Sequence, residues 1–183
     1  RSSDLKVYRR LHNISDKLGT AVNIQAMVFG NIGDNCGSGV SFSRNPVTGE
    51  DELFGEYLIN AQGEDVVAGI RTPKNISILK EDMPHLYKEF VEISKKLEQH
   101  YKDMQDIEFT IEDGRLYILQ TRNAKRTPNA VVEVAVSLAE EGVISKEEAI
   151  LRVGTEEINK LLHATFEEKS LKDAKQLTQG LAA

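Results

Sequence analysis

Residues 106–122 read DIEFTIEDGRLYILQTR and predict a β-hairpin, because apolar and polar side chains alternate on either side of a Glu-Asp-Gly turn. A two-residue loop at 113–114 would place the apolar side chains of one strand opposite polar side chains of the other. A three-residue loop at 112–114, with Ile111 opposite Arg115, keeps the apolar side chains on one face. We therefore predict the three-residue loop.

This pairing brings several polar side chains to one face of the hairpin and puts Asp106 directly opposite Gln120. The polar face then carries Asp106, Glu108, Gln120 and Arg122, and the core face carries Ile107, Phe109, Ile111, Tyr117 and Leu119. Carboxylate and amide oxygens suit Mg²⁺, and a guanidinium group suits phosphate oxygens. A solvated strand face with an exposed Asp–Arg ion pair fits the same spacing, and it is the commoner fate of alternating charges.

The segments before the hairpin predict strands followed by one long helix. Residues 21–29, AVNIQAMVF, predict a buried strand; residues 39–44 and 53–59 predict a strand pair around an Asn-Pro turn. Residues 63–69 predict a short strand or a tight loop. Residues 83–103 have an apolar side chain every three or four positions, which is typical of an amphipathic helix.

The segments after the hairpin predict only helices. One covers residues 129–140, a second begins at the capping box of residues 145–148, and a third begins at Thr155. Strands, a long helix, further strands and then helices together indicate the α+β class, with an antiparallel sheet and a helical segment after it.

Composition limits the class of partner. The chain has 183 residues, with 23 Lys and Arg against 29 Asp and Glu, and its net charge of −6 argues against a nucleic-acid or membrane-surface protein. No apolar run approaches the roughly 20 residues of a membrane span. The single cysteine, Cys36, fits a reducing compartment, and the four histidines lack metal-ligand spacing. Since the chain begins with neither Met nor a secretory signal, we expect it to be part of a longer intracellular protein.

Several stretches taken together resemble the pyruvate phosphate dikinase family, and the likeness extends over almost the whole chain. They are residues 21–30, 37–46, 55–73, 103–111 and 119–122. The resemblance implies an ATP-grasp subdomain at 1–127, a helical segment at 128–165, and a linker toward a phosphohistidine domain at 166–183. It also implies a cytoplasmic homodimer that converts ATP, phosphate and pyruvate into AMP, pyrophosphate and phosphoenolpyruvate.

The resemblance further implies a role for each polar residue that matches the family pattern. Glu108 and Gln120 look like ligands of the ATP-bound Mg²⁺. The catalytic group would include Asp106 as a supporting acid and Arg122 as a phosphate contact, and the ATP-binding group would include Gln25, Ser38, Glu64 and Arg122. The family's remaining cationic clamp and its phosphohistidine motif do not occur in residues 1–183. We therefore expect this chain alone to be inactive.

Other interpretations of the sequence remain open. One is a phosphoenolpyruvate synthase-like protein, and another is a stand-alone nucleotide-binding module without catalysis. A third is a structural interaction domain whose polar patch is only solvated. A titration with Mg²⁺·ATP distinguishes the third from the others.

Overall fold

A five-stranded antiparallel sheet lies at the centre of the computed structural model, which describes residues 2–15, 17–19, 21–22, 24–69 and 71–163. The strands are β1 (Gly37–Phe42), β2 (Phe54–Ile59), β3 (Lys74–Asn75), β4 (Gln105–Glu112) and β5 (Arg115–Asn123). Their order across the sheet is β3-β2-β1-β4-β5, so β3 and β5 form its edges.

Seven α-helices accompany the sheet in the described part of the chain. They are α1 (Ser2–Leu11), α2 (Gly63–Val67), α3 (Leu79–Asp82), α4 (Pro84–Tyr101), α5 (Pro128–Glu140), α6 (Lys146–Arg152) and α7 (Thr155–Leu162), with a 3₁₀ turn at Ile76–Ile78. The α+β class is confirmed. None of the described helices combines the length and the apolar character that crossing a membrane requires.

The predicted amphipathic helix is confirmed as α4, which covers one face of the sheet. Pro84 occupies its first turn, where the missing N–H has no intrahelical partner to lose. Phe90 of α4 packs against Phe109 of β4 with 4.7 Å between ring centroids, and Leu86 and Ile107 belong to the same fully buried cluster. Because this face is filled by apolar side chains, a site for polar ligands falls to the opposite face.

The three predicted C-terminal helices are confirmed as α5, α6 and α7. A second apolar cluster, including Met104, Val134 and Leu138, joins α5 to the residues before β4. The capping box forms as expected: Glu148 N–H donates to the Ser145 hydroxyl at 3.1 Å, and Ser145 N–H donates to the Glu148 carboxylate at 2.9 Å.

Two predictions about the first half of the chain are wrong. The stretch 24–29 has no regular secondary structure and is mostly exposed, and it has no sheet partner among the described residues. A run of apolar residues has a high propensity for a strand. A strand also needs a neighbouring strand to form hydrogen bonds with its backbone, and the run does not provide one. Residues 63–69 begin with the helix α2, where Gln62 N–H donates to the Asp65 carboxylate at 2.8 Å and so starts the helix. Helix α1 was not predicted at all.

The predicted three-residue loop of the hairpin is also wrong. The turn has two residues, Asp113 and Gly114, with φ of 49° and 71°, and Glu112 pairs with Arg115. A bulge restores the pattern of alternation: Glu108 pairs with Gln120 but Phe109 pairs with Ile118, so Leu119 is the extra residue.

The bulge changes which side chains of β5 reach the core. Leu116 and Ile118 pack against it, in place of the predicted Tyr117 and Leu119. Asp106 lies opposite Arg122 rather than Gln120. The domain boundaries at 127 and 165 stay predictions, and the proposed linker at 166–183 lies outside the described residues.

Candidate functional site

The four polar residues of the hairpin lie on one face of the sheet, as predicted, in two directly opposed pairs. Asp106 faces Arg122, and the Arg122 Nε–H donates to Asp106 Oδ2 at 2.8 Å. The hydrogen bond and charge of Asp106 raise the pKa of Arg122 above its usual value, so the guanidinium stays cationic. Since the bond uses Nε and 61% of the side chain is exposed, Arg122 can approach a ligand from solvent.

The second pair, Glu108 and Gln120, is the next one along the same face. Successive side chains of a strand point to opposite faces, so Asp106 and Glu108 project together with one residue between them. Glu108 is half-buried and Gln120 is exposed. The pair therefore presents one carboxylate and one amide oxygen side by side, next to a cation.

Two neighbouring clefts open over this face. The larger, of about 670 Å³, has Glu108 and Leu119 on one side and Gln62 and Glu64 on the other. The smaller, of about 340 Å³, is lined by Phe42, Asp106, Arg122, Asn123 and Lys125. The structure thus brings Glu64 into the same cleft as Glu108.

Two other predicted site residues are not among those that line the two clefts. The Ser38 side chain is buried, with 1% of the residue exposed, and its hydroxyl lies 3.0 Å from that of Thr110. Gln25 is exposed in the stretch 24–29, whose Met27 and Val28 line the larger cleft. The assignment of Ser38 and Gln25 to ATP stays a prediction.

The donor set suits one kind of metal. No three His, Cys, Asp or Glu side chains of the described residues are placed to share an ion. Glu108 and Gln120 together supply only two oxygen ligands, which fits Mg²⁺ because that ion keeps several waters and takes substrate phosphates as further ligands. The residues therefore fit a magnesium ion that arrives with a nucleotide.

Sequence reasoning missed two residues close to this site. Lys125 lines the smaller cleft, and a single lysine after a strand carries no signal in the sequence. Gln105 is fully buried at the start of β4, on the face of α4. Its signal was visible: a polar residue stands at a position where alternation requires an apolar one.

Comparison with known proteins shows which family this chain resembles. The family model "Pyruvate phosphate dikinase, AMP/ATP-binding domain" matches residues 2–92 and 85–142. A pyruvate, phosphate dikinase from Clostridium symbiosum is 54% identical over 177 residues, covering 97% of this chain and 20% of that protein. One from Rhizobium meliloti is 53% identical over 178 residues, covering 91% and 20%.

A chloroplastic pyruvate, phosphate dikinase from Flaveria trinervia is 52% identical over 176 residues, which is 96% of this chain and 18% of that protein. The chain thus spans about a fifth of the length of these relatives. Both the family model and the relatives cover most of the residues that form the sheet and its polar face. The chain belongs to the pyruvate phosphate dikinase family, within which it matches the AMP/ATP-binding domain.

Proposed function

We propose that this chain is the part of a pyruvate phosphate dikinase that binds Mg²⁺·ATP. The complete enzyme would be a phosphotransferase that interconverts ATP, phosphate and pyruvate with AMP, pyrophosphate and phosphoenolpyruvate through a phosphorylated histidine. The names of the relatives support this activity. Because the chain spans about a fifth of their length, the histidine and the pyruvate site would lie in other parts of the full-length protein.

One observation carries the proposal: Asp106, Glu108, Gln120 and Arg122 form two adjacent pairs on the sheet face beneath the two clefts. This face offers oxygen ligands and a permanent cation within one residue step of each other. A solvated strand face does not require Glu64 to share a cleft with Glu108. A triphosphate with its metal would use both the oxygen ligands and the cation of this face.

Each residue then has a defined task. Glu108 and Gln120 would hold the ion, which neutralises charge on the phosphate oxygens when it is bound. Arg122 would bind a phosphate group, and Asp106 orients the guanidinium through its Nε–H bond. Glu64 stands across the larger cleft from Glu108 and would bind a hydroxyl group of the nucleotide.

Phosphoryl transfer depends mainly on positioning and on stabilising charge, so these residues contribute by fixing the nucleotide while an external nucleophile attacks. The resemblance supplies three further parts of the proposal: the phosphohistidine domain as partner, a homodimer, and a cytoplasmic location. A relative from Flaveria trinervia is described as chloroplastic, so the location is not uniform in the family.

The test compares two Glu→Gln substitutions in the full-length protein that contains this chain. Glu108→Gln removes an anionic oxygen from the metal pair and keeps the size of the side chain. Glu56→Gln is the matched control, since Glu56 lies in the same cross-strand row as Glu108, separated from it by Val40. At about 4.8 Å per strand, Glu56 is too distant from Glu108 to hold the same metal ion, and it does not line the larger cleft.

We expect Glu108→Gln to slow the ATP-dependent half-reaction on the order of a hundredfold. The half-reaction between pyruvate and phosphoenolpyruvate should keep its rate, because it takes place outside this chain. Glu56→Gln should leave both rates unchanged. Equal slowing by the two variants would indicate a general effect of charge, and no slowing by Glu108→Gln would return this face to the solvated interpretation.

A further inference from the structure

The buried side-chain amide of Gln105 forms hydrogen bonds with the strand that carries Gln120 and Arg122. Gln105 begins β4 and is fully buried. Its Oε1 accepts a hydrogen bond from the Thr121 hydroxyl at 2.9 Å, and its Nε2 donates to the side-chain oxygen of Asn123 at 3.1 Å. Thr121 and Asn123 are the two residues that flank Arg122. The Arg122 side chain therefore projects from a backbone segment that is held on both sides from the opposite face.

This support matters because β5 is an edge strand. Among the described residues it pairs with β4 alone, and no further strand of that part of the chain limits its movement on the outer side. The bulge at Leu119 interrupts the ladder just before Gln120, so residues 120–123 pair with β4 as a short segment of four residues at the end of the strand. Side-chain contacts from Gln105 add to the pairing bonds of that segment.

Gln105 is itself fixed by its neighbours. Its backbone N–H donates to the Ser43 hydroxyl at 2.9 Å, and its carbonyl accepts from the Ser43 N–H at 2.9 Å. The Ser43 hydroxyl in turn donates to Glu98 of α4 at 2.7 Å. These bonds form a buried chain from α4 to the sheet edge, and consecutive hydrogen bonds of this kind strengthen one another.

We propose that Gln105 is a positioning residue for Arg122, acting through Thr121 and Asn123. Its side chain is buried and lines neither cleft. By fixing the end of β5 it sets the direction of the guanidinium that pairs with Asp106 and faces the smaller cleft. The inference rests on the proposed function, since the group it positions is the one assigned to a phosphate of the nucleotide.

The best place to test this is Thr121 rather than Gln105. The side chain of Gln105 bonds four neighbours, and its replacement would disturb the buried chain as a whole. Thr121→Val removes one hydroxyl and keeps the shape of the side chain. Thr121→Ser keeps the hydroxyl and serves as the conservative rescue.

The experiment measures the dissociation constant of Mg²⁺·ATP in the full-length protein for Thr121→Val, Thr121→Ser, Arg122→Gln and the double variant Thr121→Val with Arg122→Gln. We expect Thr121→Val to weaken binding roughly fivefold, the equivalent of one net hydrogen bond. Thr121→Ser should restore it. In the Arg122→Gln background, Thr121→Val should have no further effect, because the group that it positions is gone.

A second Thr→Val change controls for lost stability. The Thr127 hydroxyl caps α5, where it accepts from Ala130 N–H at 3.2 Å and donates to the carbonyl of Val47 at 2.7 Å. Thr127→Val should lower the melting temperature and leave the dissociation constant unchanged. If Thr121→Val weakens binding equally in both Arg122 backgrounds, or not at all, the positioning role is overturned. If Arg122→Gln itself leaves binding unchanged, the proposed function fails instead.

Discussion

Ser38 and Thr110 show what a small polar side chain does inside this sheet. Their hydroxyl oxygens lie 3.0 Å apart between β1 and β4, with only 1% and 2% of the two residues exposed. Ser38→Ala removes one partner and leaves the other hydroxyl buried without its bond. We expect the free energy of unfolding to fall by about 1 to 3 kcal/mol, measured by denaturant titration.

The double variant Ser38→Ala with Thr110→Val provides the control for that prediction. When both partners become apolar, no buried donor remains unsatisfied, so part of the lost stability should return. A double variant that is as unstable as the sum of the two single variants would contradict the hydrogen bond. Nucleotide affinity of the same variants tests the assignment of Ser38 to ATP, which rests on the resemblance.

At the scale of residues, the sequence predicted which side chains form the polar face, but it did not predict the buried charged residue Arg44. Alternation alone placed Asp106, Glu108, Gln120 and Arg122 on one face, because period two is a property of any strand. Arg44 was not singled out, although it is fully buried. A single charged residue near an Asn-Pro turn reads as exposed, and its partners Glu98 and Glu141 are more than fifty positions away.

At the scale of elements, the hairpin turn requires a positive φ at Gly114. Gly114 has φ of +71°, and a methyl group at its Cα would meet open space. Gly114→Ala should therefore cost about 1 kcal/mol of unfolding free energy through backbone strain alone. Gly63→Ala is the matched control: a methyl group there also meets open space, φ is not positive, and no loss is expected.

A second feature at the scale of elements is the Asp82 carboxylate, whose contribution to stability depends on pH. Asp82 of α3 accepts from Lys74 of β3 and from the Tyr57 hydroxyl of β2, both at 2.6 Å, and these bonds lower the pKa of Asp82. The ionised carboxylate thus stabilises the fold at pH values above its unfolded pKa of about 3.9. This contribution is lost as the pH falls through the lower, folded pKa.

Asp82→Asn should remove that contribution. The difference in unfolding free energy between parent and variant should be constant near neutral pH and shrink below about pH 4, as chemical denaturation at each pH would measure. A difference that persists unchanged into strong acid would mean that the hydrogen bonds, and not the charge of Asp82, stabilise this corner.

The hairpin also shows where sequence reasoning about elements stops. If apolar and polar side chains alternate without interruption in residues 106–111 and 115–122, an apolar core face requires a three-residue loop. A bulge at Leu119 shifts the phase within one strand, and then the two-residue turn becomes compatible with an apolar core. The Asp-Gly pair at 113–114 is typical of a two-residue turn, but no comparable signal in the local sequence marks the position of the bulge.

At the scale of the whole molecule, Arg44 links the sheet to two helices. Its Nε–H donates to Glu98 of α4 at 2.9 Å, and one terminal nitrogen donates to Glu141 after α5 at 2.9 Å. Burial by itself lowers the pKa of Arg44, but the hydrogen bond and charge of Glu98, together with Glu141, raise it above its usual value. The guanidinium is therefore a charged group in the interior, and its compensation depends on these carboxylates.

The two carboxylates should differ in their effect on stability. Glu98 is 2% exposed, and Glu98→Gln would leave the buried charge poorly compensated, at a cost of about 3 to 5 kcal/mol. The side chain of Glu141 is 38% exposed, so Glu141→Gln should cost less than about 1 kcal/mol. Equal losses of unfolding free energy in the two variants would show that burial does not set the strength of this network.

The largest difference between the sequence-based prediction and the structure also belongs to the scale of the whole molecule. The apolar run 21–29 has strong β propensity, but a strand exists only where another strand accepts it, and the chain order does not say which one. In the described residues the sheet is complete without it. The helices α4 to α7, by contrast, form their backbone bonds locally, which is why periodicity and capping were sufficient to predict them.

The exposed stretch 24–29, IQAMVF, has a consequence for the colloidal behaviour of this chain in solution. It contains no charge, proline or glycine, and Ile24 and Met27 are 98% and 75% exposed. Such segments nucleate intermolecular β-sheets, while the net charge of −6 keeps molecules apart. Added salt screens that repulsion, so turbidity should rise with ionic strength and steeply with protein concentration. The shelf life of a protein stock should therefore depend more on the salt in its buffer than on the melting temperature of the protein.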